Sequence, residues 1–260
     1  MQTLLSDMSL RNRIATPEGK RRYVRALFST IADRYDLITV VLSYGQDRRW
    51  KRRLIALAAP RPHTRALDLA TGTGDIAFAL AERGARVVGL DVTHRMIELA
   101  KAKGAREPRD GRSPVPDSSR DERLAIQFLV GDMLALPFPP ASFDIVTTGY
   151  GLRNVPNLSA AIDEIGRVLV SGGQVLSLDF NRPSNALVRV AYLAYLTVVG
   201  ATLGWILHRD ADTYRYISAS IRQYPGAEAV ARIFEERGFG RVRWHPVFGG
   251  LMTIHHAIRN

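Results

Sequence analysis

The chain contains no cysteine, which excludes disulfides, thiolate catalysis and thiolate-ligated metals. Its six histidines offer no metal-binding spacing. His255 and His256 are neighbours on an expected strand and would face opposite sides of a sheet, so no metal is expected. The amino-terminal stretch MQTLLSDMSLRNRIATPEGKRR lacks an uninterrupted apolar core and a small-residue cleavage site. A secretory signal is therefore not expected, and a cytoplasmic protein is. Also missing are a basic block and the aromatic-interleaved basic strands of RNA-binding domains. The 36 Lys and Arg outnumber the 25 Asp and Glu for a formal charge of +11, but they are dispersed along the chain. Nucleic acid is not the expected partner; an anionic membrane surface fits better.

What the chain does have, from Arg65 onward, is alternation. RALDLA, RVVGLD, LAIQFLVGD, FDIVTTG and QVLSLDF read as strands. DIAFALAERG, HRMIELAKAKG and SAAIDEIGRVLVSGG read as the helices between them, ended by Gly84, Gly104 and a Ser-Gly-Gly stop. Strand–helix alternation implies a parallel sheet covered by helices. The chain closes with a helix, GAEAVARIFEERGFG, and two strands joined by only Gly249-Gly250, which must form an antiparallel hairpin. The expected fold is α/β: the Rossmann-like seven-stranded sheet of class I S-adenosylmethionine-dependent methyltransferases, its last strand antiparallel. Residues 1–60 would form a helical lid and substrate segment, and residues 61–260 the catalytic domain. Residues 104–123, charged and carrying three prolines, read as a mobile surface insertion. Residues 184–224 read as a helical insertion after strand five that serves substrate or membrane. Within it, residues 190–207 carry no charge but are only moderately apolar, which suits a buried or interfacial helix better than a span.

LDLATGTGD joins the first strand to the first helix of the sheet. Gly72, Thr73 and Gly74 bring backbone close to a ligand, and the helix amino terminus behind them offers free N–H groups. Gly72-x-Gly74-x-x-Ala77 also fits a variant dinucleotide fingerprint. Three acids favour S-adenosylmethionine. Asp68, inside the strand, can balance a sulfonium and an ammonium but would repel a pyrophosphate. Asp91 suits both ribose hydroxyls, a role shared with nucleotide dehydrogenases. Asp132 can accept from the adenine amino group while Met133 packs on the ring. Singly these residues could be a strand-end cap, a turn former and a helix start. Together they mark the carboxyl ends of three successive strands, where open sheets bind ligands. Gly149, ending strand four, allows another close approach.

Three further stretches carry a family resemblance. Arg34, Tyr35, Asp36, Ser43, Gly45, Arg49 and Trp50 lie in IADRYDLITVVLSYGQDRRWKRRLI; GYGLRNV spans Gly149–Val155; DTYRYISASIR spans Asp212–Arg222. Together they resemble the bacterial and mitochondrial C-methyltransferases that make ubiquinone and menaquinone, over roughly residues 22–260. Thr39 stands where that family usually has asparagine, and LVSGG replaces Leu-Lys-Pro-Gly-Gly.

The resemblance implies methyl transfer from S-adenosylmethionine to a ring carbon of a polyprenylated naphthoquinol or benzoquinol. A ring carbon attacks well only once the ring hydroxyl is ionised. Arg153 would stabilise that oxygen and Asn154 would hold it or a bridging water. Tyr35, or a water held by Tyr35 and Arg153, would relay the proton. A long isoprenoid tail stays in the bilayer at about 0.8 kcal/mol per methylene, so peripheral membrane docking is expected. The 190–207 helix and Tyr35–Trp50 would form the portal, and Arg48, Arg49, Lys51, Arg52 and Arg53 an interfacial anchor or a solvated helix start. A nucleotide-dependent oxidoreductase, a nucleic-acid methyltransferase and an inert membrane-binding module are the competing readings. The first is disfavoured by Asp68 and the hairpin, the second by the lack of a base-extrusion motif. The third would need neither the adenosine-holding acids nor Arg153. Oligomeric state stays open, a homodimer included.

Overall fold

The computed structural model describes residues 10, 12–106, 126–183, 185–209, 213 and 215–260. Helices α1 (Pro17–Ile31), α2 (Tyr35–Leu42) and α3 (Asp47–Ala58) precede the sheet. The first starts where Thr16 accepts from the Gly19 amide and Pro17 takes the first turn, an arrangement that satisfies one free donor and needs no other at the proline. In α3 the buried apolar side chains are Trp50, Leu54, Ile55 and Ala58, one face of a helix turned onto the sheet.

Strands β1 (Arg65–Leu69), β2 (Arg86–Asp91), β3 (Ile126–Val130), β4 (Phe143–Gly149) and β5 (Leu169–Phe180) alternate with α4 (Asp75–Ala81), α5 (His94–Arg106) and α6 (Leu158–Val168). After β5 come α7 (Ala186–His208), α8 (Arg215–Gln223) and α9 (Ala227–Glu236), then β6 (Phe239–Val247) and β7 (Met252–Arg259). The seven strands form one sheet in the order β3-β2-β1-β4-β5-β7-β6. The first five pair in parallel, and β7 is antiparallel to both β5 and β6. That is the expected sheet. The strand order reverses between β1 and β4, and ligands bind outside the carboxyl ends at such a point. Two apolar layers, around Leu54, Leu80 and Ile254 on one face and Leu67, Ile162 and Phe234 on the other, hold the helices to it.

Local stops read from the sequence shift at three places. Helix α5 runs through Gly104 to Arg106; a Cβ at Gly104 would lie 3.1 Å from the Phe78 ring, so this glycine packs rather than terminates. Residues 107–123 of the expected insertion lie outside the described residues, as do Asp212 and Tyr214 of the third motif. Helix α6 ends at Val168, and Leu169 to Gly173 already belong to β5. Leu169 pairs with Phe143, and the register then shifts before Ile145 pairs with Gln174. Gly172, with φ +75°, therefore serves a bulge, not a helix stop. The final hairpin turns over Phe248, Gly249 and Gly250, all at positive φ, not over two glycines alone.

Helix α7 contains the expected uncharged run, packed on one face and exposed on the other. Tyr192, Leu196, Gly200 and Gly204 face the protein, whereas Leu187, Val190, Val198 and Trp205 face outward.

Candidate active site

The carboxyl ends of β1, β2, β3 and β4 border a cavity of about 750 Å³. It is lined by Gly72, Asp91, Asp132, Met133, Gly149 and Asn154, with α1 and Tyr35 closing it from above. Asp91 ends β2 with both oxygens anchored: Oδ2 accepts from the Gly72 amide at 3.0 Å and Oδ1 from the Thr93 amide at 2.8 Å. Burial nevertheless pushes its pKa up, because no cation compensates the carboxylate. Gly72 sits at φ +56°, a backbone conformation that glycine adopts without strain.

Asp68 lies one step deeper. Thr71 Oγ1 donates to its Oδ2 at 2.6 Å and Thr147 Oγ1 to its Oδ1 at 2.8 Å. It is 1% exposed, and desolvation raises its pKa to about 7 despite those bonds. It opens onto a small recess with Lys51, Thr73, Asp75 and Tyr150, next to the large cavity, with which it shares Tyr35, Ala70, Gly149 and Tyr150. Thr73 turns to α2 instead, donating to Asp36 Oδ1 at 2.6 Å. Gly74 lines neither place. It begins α4 at φ +90°, where a Cβ would stand 2.8 Å from Phe78, so its task is the turn and close packing.

Asp132 has a partner that the sequence reading missed. Its Oδ1 accepts from the Leu134 amide at 2.9 Å, and its Oδ2 accepts from Arg21 Nε at 2.6 Å. Helix α1 is thus tied across the cavity by an exposed ion pair, and an adenine amino group would share that carboxylate with a guanidinium.

A second cavity, of about 780 Å³, lies on the other side of Tyr35 and Tyr150. Phe28, Tyr44, Trp50, Phe180, Tyr192, Tyr195, Tyr216 and Phe248 give it an aromatic wall, and among the described residues Arg153 is its one cation. Arg153 is 7% exposed. Its Nη1 donates to Asp179 Oδ1 at 2.9 Å and to the Tyr150 carbonyl at 3.0 Å. The guanidinium carbon stands 4.6 Å from the Phe180 ring centroid, a cation–π contact. Among the described residues its buried Nε has no hydrogen-bond partner, which leaves a donor for a ligand oxygen.

Asn154 diverges from its neighbour. Its Nδ2 donates to the Tyr150 carbonyl at 2.8 Å, its buried Oδ1 is unpartnered among the described residues, and it lines the first cavity, not the second. Tyr35 stands between the two. Desolvation pushes its hydroxyl up to about 12, so at neutral pH it is a donor. Asp179 and Asp47, both buried, were not singled out from sequence. The signal for Asp179 was there: it is a fourth acid near the end of a buried strand.

The two cavities suit different ligands. Buried carboxylates pushed up by desolvation call for a cationic ligand in the first. Asp91, Asp132 and Met133 line that cavity, and Asp68 lines the recess beside it. The second favours an aromatic, apolar molecule with an anionic oxygen. The chain shows likeness to proteins of this kind. A sequence model described as the ubiE/COQ5 methyltransferase family matches residues 16–259.

The chain belongs to that family. It is an S-adenosylmethionine-dependent methyltransferase by fold and membership. It is 38% identical over 231 residues, 88% of this chain and 98% of the relative, to the demethylmenaquinone methyltransferase of Thermus thermophilus. It is 36% identical over 249 residues, 94% of this chain and 91% of the relative, to the ubiquinone/menaquinone biosynthesis C-methyltransferase of Pseudomonas putida. Solved structures agree on the fold alone. The putative methyltransferase bound to the Haloferax volcanii Trm112 activator superposes with a TM-score of 0.59 at 18% identity, covering 89% of this chain and 96% of that one. A Haemonchus contortus phosphoethanolamine N-methyltransferase in complex with S-adenosyl-L-methionine gives 0.56 at 15% identity, covering 81% of this chain and 52% of that one.

Proposed function

We propose that this enzyme methylates a ring carbon of a polyprenylated quinol, demethylmenaquinol in the first place and a benzoquinol as the second candidate. The observation that carries the reading is the unpartnered Arg153 Nε, buried in an aromatic cavity that shares Phe28, Tyr35 and Tyr150 with the cavity for the methyl donor. S-adenosylmethionine supplies an electrophilic methyl group on a cationic sulfur. Asp91 would hold its ribose, Asp132 and Met133 its adenine, and Asp68 its cationic end. Phe28, Tyr44 and Trp50 would hold the quinol ring, and Arg153 would stabilise its ionised oxygen, a contribution of about 10²–10³ in rate for one well-aimed donor. Alignment of ring carbon and methyl across the Tyr35–Tyr150 wall would contribute the larger share. The reading is tested by deleting the protein in its native cell and extracting the quinones. A species lighter by one methyl group should accumulate in mass spectra; an unchanged quinone profile refutes the proposal.

The same reading places the enzyme on the cytoplasmic surface of a membrane. Leu187 is 82% exposed and Trp205 69% exposed on the outer face of α7. Along that helix the hydroxyls of Thr197 and Thr202 donate to the carbonyls four residues back, at 2.7 and 2.9 Å, so they need no water. Exposed Leu37, Val40 and Val41 of α2, and Tyr44 just after it, extend the apolar surface. Tyr44 stacks on Tyr195 of α7 at 5.3 Å and meets Phe248 at 5.9 Å, which places the mouth of the aromatic cavity beside this surface. The inner face of α7 is packed against the protein, so the helix would lie along the bilayer instead of crossing it. Arg48, Arg49, Arg52 and Arg53 are exposed and suit anionic headgroups. Lys51 leaves the expected anchor: its Nζ is bound to Asp47 at 2.6 Å and Asp75 at 2.7 Å. Vesicles containing anionic lipid should pellet the protein, and Val198→Asp with Trp205→Asp should release it. Pelleting unaffected by the double substitution would rule out α7 as the docking element.

A further inference from the structure

The quinol reading supplies a cation for the ring oxygen but no acceptor for its proton. Arg153 stays charged, and the Tyr35 hydroxyl, pushed up to about 12, is a donor. Tyr150 differs from the other tyrosines of the aromatic cavity. Among the described residues it is the one lining hydroxyl whose hydrogen bond ends on a carboxylate: Oη donates to Asp47 Oδ1 at 2.6 Å. Its ring stands in the wall between the two cavities and also borders the Asp68 recess.

Resting on that reading, we propose that Tyr150 and Asp47 form a proton relay for the quinol hydroxyl, with Tyr150 receiving the proton as its own passes to Asp47.

The backbone around Tyr150 is built to hold such a position. Tyr150 sits at φ +61°, in the left-handed region that bulky residues avoid and that persists where surroundings over-determine it. Its amide donates to the Leu178 carbonyl at 2.7 Å. Its carbonyl accepts from Arg153 Nη1 at 3.0 Å and Asn154 Nδ2 at 2.8 Å. The residue that would stabilise the ring oxygen thus also fixes the residue that would take its proton.

Asp47 is 3% exposed. Its Oδ2 accepts from Lys51 Nζ at 2.6 Å, and the same ammonium reaches Asp75 Oδ2 at 2.7 Å. When Asp47 becomes neutral, Lys51 keeps a carboxylate partner and no buried charge is orphaned. The charged and titratable groups facing the relay are Lys51 on the same helix, Asp75 of α4, Asp68 of β1, Tyr35 of α2 and Arg153 beyond β4.

The step balances. The quinol O–H bond breaks, its electron pair stays on oxygen, and its proton binds Tyr150 Oη while the former Tyr150 proton binds Asp47. The oxygen pair moves into the ring, a ring carbon forms a bond to the methyl carbon, and the C–S pair leaves on sulfur. The methylated ring carbon then loses its proton to water, and the oxygen regains one from Asp47 through Tyr150. One proton is released per methyl transferred.

Tyr150→Phe tests the relay, since it removes only Oη and leaves Asp47 paired with Lys51. The expected result is a kcat lowered about 10²-fold near neutral pH, with KM for the methyl donor within about threefold and a rate that climbs steadily with pH as solvent base takes over. A loss of less than tenfold, or a large loss with the wild-type pH profile, overturns the proposal. A second readout needs no methyl donor. Bound 2-naphthol should show the naphtholate absorption band in wild-type protein at a pH where free naphthol does not, and Tyr150→Phe and Asp47→Asn should lose it. Equal naphtholate in all three proteins overturns the relay. A wild-type protein that methylates no quinol refutes the substrate, and the naphthol signal then still decides the relay.

Discussion

Replacing Arg153 with methionine is expected to stop turnover and to loosen the fold, and a second substitution should separate the two effects. The guanidinium is the buried partner of Asp179, which is 1% exposed and also accepts from the Arg153 amide at 3.2 Å. Removing the cation leaves that carboxylate unpaired, at a cost of about 3–5 kcal/mol. For a chain of this length each kcal/mol lowers Tm by about 2–4 °C, so a fall of roughly 10 °C is expected in a thermal melt. Asp179→Asn in the same chain removes the orphaned charge and should restore most of that loss. Activity should not return, because the asparagine restores neutrality around Tyr150 and Phe180 but supplies nothing to the ring oxygen. The expected outcome is a double variant with near-native Tm, cofactor affinity intact and kcat still down by about 10²–10³. A double variant that methylates at the wild-type rate would reduce Arg153 to a packing residue.

The separation of Arg153 from its neighbour shows what sequence reveals and what it does not. GYGLRNV is recognisable as a functional strand end because two glycines flank a bulky residue there and a buried strand precedes them. Whether Arg153 and Asn154 act together is a question of turn geometry. They sit in a 3-10 turn spanning Leu152–Asn154, where successive side chains point about 120° apart, and so they enter different cavities. Strands and helices were legible for the same local reason: apolar period and punctuation are carried within a dozen residues. The acids Asp68, Asp91 and Asp132 stood out because each lies at or near the carboxyl end of such a unit.

Partnerships set by tertiary packing were not legible. Arg21 meets Asp132 across 111 residues and Tyr150 meets Asp47 across 103, separations at which no periodicity operates. Asp47 and Lys51, one helical turn apart, could have been paired from spacing alone. Counting Lys51 as a membrane anchor overlooked that a lysine on the inward face of an amphipathic helix must find a carboxylate. Gly104 and Gly172 misled in a similar way. A glycine in sequence marks freedom from a side chain, and only the fold says whether that freedom serves a stop, a bulge or a neighbouring ring.

Affinity for S-adenosylmethionine is expected to rise with pH through neutrality, and Asp68 is the reason. In the ligand-free protein burial raises its carboxyl from 3.8 to about 7. A raised acid means that the folded chain holds a proton which the unfolded chain has already lost. Between about pH 4 and pH 7 the free protein therefore loses stability as pH rises, by up to roughly 4 kcal/mol at 1.36 kcal/mol per unit. A cationic ligand beside Asp68 reverses the balance, since it favours the ionised carboxylate. Below pH 7 binding must first expel a proton, so the dissociation constant should grow about tenfold for each unit of acidification. Above pH 7 it should level off. Calorimetric titration at pH 5.5, 7 and 8.5 would show this curve together with release of a proton on binding at the lowest value. Asp68→Asn removes the titrating group, and its weaker binding should be flat over the same range. If the wild-type curve is flat as well, Asp68 does not face the cationic end of the donor, and the charge that its burial leaves uncompensated must be met by Lys51 across the small recess they share.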